Sequence, residues 1–284
     1  MSTELVLYDE AGPRTRRRIL IGSIAGGLLL LVLAFVVYRR LDTRGIFEAE
    51  RWDIFSDPEV WEAIGRGLLA TLKAAGAAAA LAAVAGLVLC VLRTSPSPLV
   101  RRPAAVTIEL FRGLPVVLLM FFAAVVLPVS LFWAVVIGLV IYNSAVVAEI
   151  LRAGIASLPR GQTEAAAAIG LSDLQTLRLV LLPQAIRRMM PTLVSQLVVL
   201  NKDTSLGFIV GYFELLRTVQ TLQFFFGDRY LFSFFFVAAG IYILLNVLIS
   251  RLAIYLERRG STKAAGGGVP RDLAVVAAGT GENV

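Results

Sequence analysis

Long apolar runs alternate along the chain with short stretches rich in arginine. The segments Ile19 to Tyr38 and Ala74 to Leu92 contain no charged residue. About 20 such residues in a helix, rising about 1.5 Å each, cross the roughly 30 Å hydrocarbon layer of a membrane. The pattern therefore predicts an all-α, polytopic helical membrane protein with about six transmembrane helices. The predicted spans are 19–38, 67–92, 104–127, 132–151, 189–210 and 231–250.

Composition excludes several classes of function. Of the 284 residues, 58% are hydrophobic and 17% are charged, whereas soluble domains carry about 25% charged residues. The chain has no histidine and one cysteine, Cys90. An intrachain disulfide, a Cys/His zinc site and histidine-based acid–base catalysis are therefore excluded. No GxxxxGK[ST] phosphate loop is present, so we expect no ATP hydrolysis by this chain and no catalytic or metal site.

The net charge of +7 reflects membrane topology. Most of the 27 lysine and arginine residues fall beside the spans, on the side that also holds the basic run Arg14 to Arg18. No small-residue cleavage site of a secretory signal follows the first span, so the first helix is predicted to stay uncleaved. Six crossings then place both termini on one side, and the positive-inside bias predicts that this side is the cytoplasm. The remaining charges are scattered and form no surface that could follow a phosphate backbone, so nucleic-acid binding is not expected.

Changes in composition predict four regions. A basic cytoplasmic N-terminus covers 1–18, and an accessory first span with an outer segment covers 19–66. The main transmembrane domain covers 67–255, and a Gly- and Ala-rich cytoplasmic tail, predicted to be disordered, covers 256–284. Within the outer segment, residues 41–62 are interpreted either as an amphipathic stretch on the membrane interface or as an ordinary loop.

The connection between the fourth and fifth spans has a distinctive pattern. Residues 162–169 (QTEAAAAI) favour a short helix, and Gly170 suits the left-handed position just after its end. Ser172 and Gln175 then form a possible capping box for a second short helix over 173–181. Pro183 is expected to break that helix where the chain returns to the membrane.

The spacing in this connection resembles the EAA loop of ABC importer permeases. The sequence Glu-Ala-Ala at 164–166 is followed after three residues by Gly170, and after nine more by Val-Leu-Leu-Pro at 180–183. In that family the loop is the coupling element that docks into a cleft of the partner ATPase. The resemblance thus implies a coupling loop near 160–183. Its contact residues would be Glu164, Ala165, Ala166, Gly170 and Leu171.

Other segments resemble the polar amino-acid branch of the same family. Residues 111–115 (FRGLP) look like its FRGxP stretch, 143–161 resemble the run that leads into the loop, and 202–206 (KDTSL) look like its KxTSL stretch. The resemblance covers roughly 60–255 and is greatest to the longer permease subunit of bacterial glutamate importers.

The resemblance implies a type I ABC importer permease in the bacterial inner membrane. Such a chain holds no cofactor of its own. It would work with a pair of ATPase subunits that bind ATP and Mg²⁺, a second permease subunit and an extracytoplasmic amino-acid-binding protein. Two other interpretations stay open. A gradient-driven amino-acid carrier would need paired repeats of broken helices, which the sequence lacks, and a non-transporting scaffold would leave the loop unexplained.

Polar groups at membrane depth are candidates for a substrate path, because such groups are costly in lipid. These candidates are Arg112, Asn143, Glu149, Lys202 and Asp203. The alternative is that they form structural ion pairs that hold the helices together.

Spacing indicates partners for some of these groups. Glu109 and Arg112 lie three residues apart on one helix, so they can pair locally. Lys202 and Asp203 are adjacent and point to different faces, so each needs a partner elsewhere. Glu149 is a possible partner for Lys202.

Overall fold

The computed structural model describes residues 12–262, which form helices and turns with no strand among them. The chain divides into two compact units, with the boundary between Asp57 and Pro58. The predicted tail after residue 262, and the first 11 residues of the predicted basic N-terminus, lie outside the described residues.

The first unit consists of one long helix and two short turns. Helix α1 (Pro13–Asp42) has no buried residue and contains the predicted first span. The outer segment that follows forms 3₁₀ turns at Ala49–Arg51 and Asp53–Ser56. The indole nitrogen of Trp52 donates to the carbonyl of Ile46 at 2.9 Å. Short turns held by local contacts thus follow the first span.

The second unit is a helical bundle with α5 at its centre, packed against α2, α4 and α8. Its helices are α2 (Pro58–Arg93), α3 (Pro98–Gly113), α4 (Val116–Val126), α5 (Leu131–Ala156), α6 (Gly161–Ala168), α7 (Asp173–Gln175), a π-helical turn (Thr176–Leu181), α8 (Leu182–Asp203), α9 (Leu215–Phe226) and α10 (Leu231–Thr262).

Small side chains let the central helices approach closely, as is usual where helices associate inside membranes. On α2, Ala74 and Ala78 are fully buried in a core shared with α5. On α5, a Cβ atom at Gly138 would lie 2.6 Å from the backbone nitrogen of Met120 in α4. Cys90 is also fully buried, in a second core cluster with residues of α3 and α5.

Four described stretches are long and apolar enough to cross a membrane: α1, α2, α5 and Asp228–Leu252. Helices α3 and α4 together make a fifth candidate. The predicted fifth span, 189–210, corresponds to the last part of α8 and a 3₁₀ turn at Thr204–Phe208. Arginines near the start of α8 and a Lys-Asp pair at its end leave a short apolar stretch between them. By length and composition, four or five described stretches thus qualify as spans, and the predicted fifth span is a helix whose charged ends keep it out of that count.

The predicted third span, 104–127, is not one helix. The chain bends by 98° between α3 and α4. Pro115 explains the break, because proline has no N–H and its ring forces the preceding residue out of the helical region. Leu114 accordingly has an extended backbone, with ψ at 139°.

The loop helices agree in part with their prediction. Helix α6 and the capping box at Ser172 and Gln175 are confirmed. The prediction of a second short helix is wrong beyond Gln175, because the backbone there widens into the π-helical turn. The predicted helix break at Pro183 is also wrong. This residue lies in the first turn of α8, where a backbone N–H would have no intrahelical acceptor, so proline is tolerated there.

Candidate functional site

Helix α6 ends in a compact turn that exposes its small residues. Gly170 has φ +80°, a left-handed conformation that glycine adopts without strain. Its N–H donates to the Ala167 carbonyl at 2.9 Å, and the Leu171 N–H donates to the Ala166 carbonyl at 3.1 Å. This pair of hydrogen bonds is a Schellman motif. The turn fixes the direction in which the chain leaves α6.

The surface of this turn is open to a partner. Glu164, Ala165 and Gly170 are exposed, Leu171 is partly exposed, and Ala166 is buried beneath them. Ile169 beside them is 77% exposed. Of the five predicted contact residues, four are therefore accessible, while Ala166 supports the helix from inside.

Side-chain hydrogen bonds connect this loop to α8. The Gln184 amide nitrogen donates to the Gln162 side-chain oxygen at 3.1 Å and to the Val180 carbonyl at 2.8 Å. The Arg188 guanidinium donates to the Ser157 carbonyl at 3.0 Å. The first turns of α8 are thus joined both to α6 and to the end of α5.

Lys202, at the other end of α8, lines a cavity of about 670 Å³ between α8, α9 and α10. No described residue forms an ion pair with Lys202 or Asp203. The lining is mostly apolar, and Lys202 is an exposed member of it. The polar lining residues are Lys202, Ser205, Gln220, Gln223, Tyr242 and Asn246. A cation that shares a cavity with amide and hydroxyl groups can bind a small molecule that carries a carboxylate.

Asn143 lies in a different place. It is fully buried on α5, where its Oδ1 accepts a hydrogen bond from Gln196 of α8 at 2.8 Å. Its Nδ2 donates to the Leu139 carbonyl at 2.8 Å. The pair lines a separate, mainly apolar cavity of about 500 Å³. Asn143 therefore connects α5 to α8 rather than facing the Lys202 cavity.

Arg112 and Glu149 share a third, smaller cleft of about 280 Å³. Arg112 pairs with Glu109 at 2.6 Å, as its spacing predicts. Glu149 pairs with Arg152, three residues along α5, at 2.7 Å. The proposed Glu149–Lys202 pair is therefore wrong, because a guanidinium one turn away satisfies the carboxylate. Asp203 lines none of these three cavities, so the five predicted path residues do not form one site.

Sequence reasoning missed Glu214, Gln220 and Gln223, which lie between the last two predicted spans. Glu214 is fully buried at the start of α9, and both glutamines line the Lys202 cavity. Burial raises the pKa of the Glu214 carboxyl, and hydrogen bonds from Tyr242 and two backbone amides act in the opposite direction. The sequence held one signal for Glu214, because its carboxylate lies between apolar residues in Tyr-Phe-Glu-Leu-Leu.

Comparison with known proteins gives consistent results. Residues 78–261 match the family described as "Binding-protein-dependent transport system inner membrane component". The chain is 42% identical over 229 residues to the glutamate transport system permease protein GluD of Corynebacterium glutamicum, covering 77% of this chain and 83% of that protein. It is 38% identical over 199 residues to the probable glutamine ABC transporter permease protein GlnP of Bacillus subtilis, covering 68% and 91% respectively.

The fold is also similar to that of solved transporters. A chain of an amino acid ABC transporter crystallised with histidines superposes with a TM-score of 0.66 at 30% identity, covering 72% of this chain and 98% of that one. A chain of the MetNI methionine ABC transporter, in an inward-facing conformation, gives a TM-score of 0.61 at 19% identity. A match at this identity shows similarity of fold alone. This chain therefore belongs to the family of inner-membrane permease components of binding-protein-dependent ABC importers, in its amino-acid branch.

Proposed function

We propose that the chain is a permease subunit that carries glutamate into the cell, driven by ATP that partner subunits hydrolyse. The observation that carries this proposal is the 42% identity, over 77% of the chain, to a permease named for glutamate transport. A third relative, the permease GltK of Escherichia coli, is named for glutamate and aspartate import and is 31% identical over 208 residues. The cation in the cavity between α8, α9 and α10 supports an acidic substrate.

The proposed partners follow from the family. A pair of ATPase subunits would bind ATP and Mg²⁺, a second permease would complete the path, and an extracytoplasmic protein would deliver the amino acid. This chain would contribute no ATPase site. Both termini would lie in the cytoplasm, on the side favoured by the arginine bias, with the predicted regions 1–18, 19–66, 67–255 and 256–284 in their proposed roles.

Helix α8 offers a physical route from the ATPase to the substrate. The segment Glu164–Leu171 would dock on the ATPase, and its motion would reach α8 through the Gln162–Gln184 hydrogen bond. Helix α8 has 22 residues, about 33 Å at 1.5 Å per residue. Lys202 lies near its far end. If α8 tilts as a rigid body, the coupling loop and the cavity that contains Lys202 would therefore move together.

The remaining predicted path residues would affect the movement of α8 through the helices packed beside it. Asn143 would hold α5 against α8, while Arg112 and Glu149 would line the small cleft along the same helices. Asp203 would follow the movement of Lys202, its neighbour in sequence.

Isolation of the chain from its membrane in mild detergent, followed by mass spectrometry, tests the assembly. We expect an ATPase with a phosphate loop and a second permease to co-purify. The same complex in liposomes, with its binding protein, should import labelled glutamate only when ATP is present. Recovery of this chain alone, still transporting along an ion gradient, would contradict the proposal.

Two variants test the roles within the chain. Lys202→Ala should lower glutamate uptake while the ATPase still binds. The control is Lys73→Ala, which removes an exposed lysine on α2. Gly170→Asp should separate ATP hydrolysis from uptake, because it strains the turn after α6. Gly161→Asp adds the same charge on α6 without a left-handed backbone. Unchanged uptake in Lys202→Ala or in Gly170→Asp would remove that residue from the mechanism.

A further inference from the structure

Glu214 is the one carboxylate in the described part of the chain that is completely buried. It caps the first turn of α9, where its Oε1 accepts from the Arg217 N–H at 2.8 Å and its Oε2 accepts from the Leu216 N–H at 2.9 Å. The free N–H groups and the positive end of the helix dipole stabilise the negative charge.

The same carboxylate joins α9 to α10. The Tyr242 hydroxyl donates to Glu214 Oε2 at 2.6 Å. The ring of Tyr242 lines the cavity that contains Lys202. Thr71 of α2 completes the cluster, because its Oγ1 accepts from the Leu215 N–H at 3.1 Å. Helices α9 and α10 thus meet at Glu214, and α2 joins them at the next residue.

A capping role alone does not explain a glutamate at this position. Asn, Asp, Ser and Thr are the preferred N-cap residues, since their short side chains reach the first-turn amides directly. The additional methylene of glutamate lets one carboxylate cap α9 and also accept from Tyr242. The length of the side chain therefore points to the connection with α10.

The cap also controls the cavity wall along α9. Leu216, Gln220 and Gln223 lie on one face of this helix and line the cavity. The Arg217 guanidinium lies 5.7 Å from the Phe208 ring centroid, and it donates to the Gln220 side-chain oxygen at 3.2 Å. Gln220 accepts with its oxygen, so its amide N–H groups remain available as donors. The register of α9, set at Glu214, thus decides where these groups lie.

We propose that Glu214 is a positioning residue for the substrate cavity, which holds the α9 wall and the Tyr242 ring in the arrangement that binds the substrate carboxylate beside Lys202. The inference rests on the proposed function, since it takes the Lys202 cavity to be the place where the amino acid binds. Glu214 does not itself contact the substrate.

Direct binding of labelled glutamate to the purified permease–ATPase complex, without the extracytoplasmic protein, tests this role. Glu214→Asp keeps a carboxylate at the cap but is one methylene too short to reach Tyr242. Tyr242→Phe removes the same hydrogen bond from the other side and keeps the ring. Each should weaken binding about tenfold, the effect of losing one charge-assisted hydrogen bond. The double variant should be no weaker than either single one.

Matched measurements separate positioning from folding. Tyr142→Phe removes a hydroxyl that has no hydrogen-bond partner among residues 12–262, and it should bind glutamate like the wild type. Normal thermal stability with weakened binding in both variants supports the inference. Wild-type affinity in both variants, or loss of assembly in both, overturns it and leaves the proposed function intact. Failure of the wild-type complex both to bind and to transport glutamate overturns both proposals.

Discussion

Replacing Gly138 by alanine should force α4 and α5 apart. The added Cβ would lie 2.6 Å from both the backbone nitrogen and the Cγ of Met120. Non-bonded heavy atoms prefer separations of about 3.5–4.0 Å, so the contact needs about 1 Å of additional space. The side chain can rotate away, but the backbone nitrogen cannot. The helices themselves must therefore move.

The cost follows from what surrounds the contact. Met120, Val135 and Leu139 have no exposed surface, so a shift of α4 disturbs a packed core. Overpacking of this kind costs about 1–3 kcal/mol, which lowers the unfolding midpoint by about 5 °C for a chain of this size. Gly76→Ala on α2 is the matched control. Its Cβ would have no neighbour within 4 Å, and alanine favours a helix over glycine by about 1 kcal/mol.

Thermal unfolding in detergent, followed by size-exclusion chromatography after heating, compares the two variants. We expect Gly138→Ala to lose its monodisperse peak at a lower temperature than the wild type, and Gly76→Ala to keep it at the same temperature or a higher one. Equal midpoints for the two variants would show that α4 and α5 do not meet at this glycine.

Three further changes test other contacts. Ser172→Ala removes the cap that accepts from the Gln175 N–H and should lower the stability of the loop by roughly 1 kcal/mol. Limited proteolysis should then cut the loop faster, and an unchanged rate would contradict this role. Asn143→Ala leaves the Gln196 amide without its acceptor and should lower the melting temperature by a few degrees, which an unchanged midpoint would refute. Deletion of residues 1–40 should preserve co-purification with the ATPase, and loss of assembly would refute an accessory role.

Much of the fold could be predicted from hydropathy alone. The spans at 67–92, 132–151 and 231–250 lie within α2, α5 and α10. The bend after α3 could not be found in this way, because a sliding window averages over Pro115 and its apolar neighbours. Hydropathy records how apolar a segment is, whereas the bend depends on one missing N–H and a clash with the preceding residue.

The loop was predictable because its signals are local. The cap at Ser172 and the left-handed Gly170 depend on residues within one turn of each other. The cavity depends on contacts between distant segments. The hydrogen bond from Tyr242 to Glu214 spans 28 positions, and no periodicity records it. For the same reason the Glu149 carboxylate was given a distant partner, although Arg152 was available nearby.

The bend between α3 and α4 has a consequence for what surrounds the bundle. At Leu114 the chain leaves the helical conformation for an extended residue, so the last carbonyls of α3 and the first N–H groups of α4 lack intrahelical partners. Acyl chains offer nothing to pair with such groups. Gly113 is exposed in this chain. Lipid tails therefore cannot cover the bend itself, which must face either water or the surface of a neighbouring subunit.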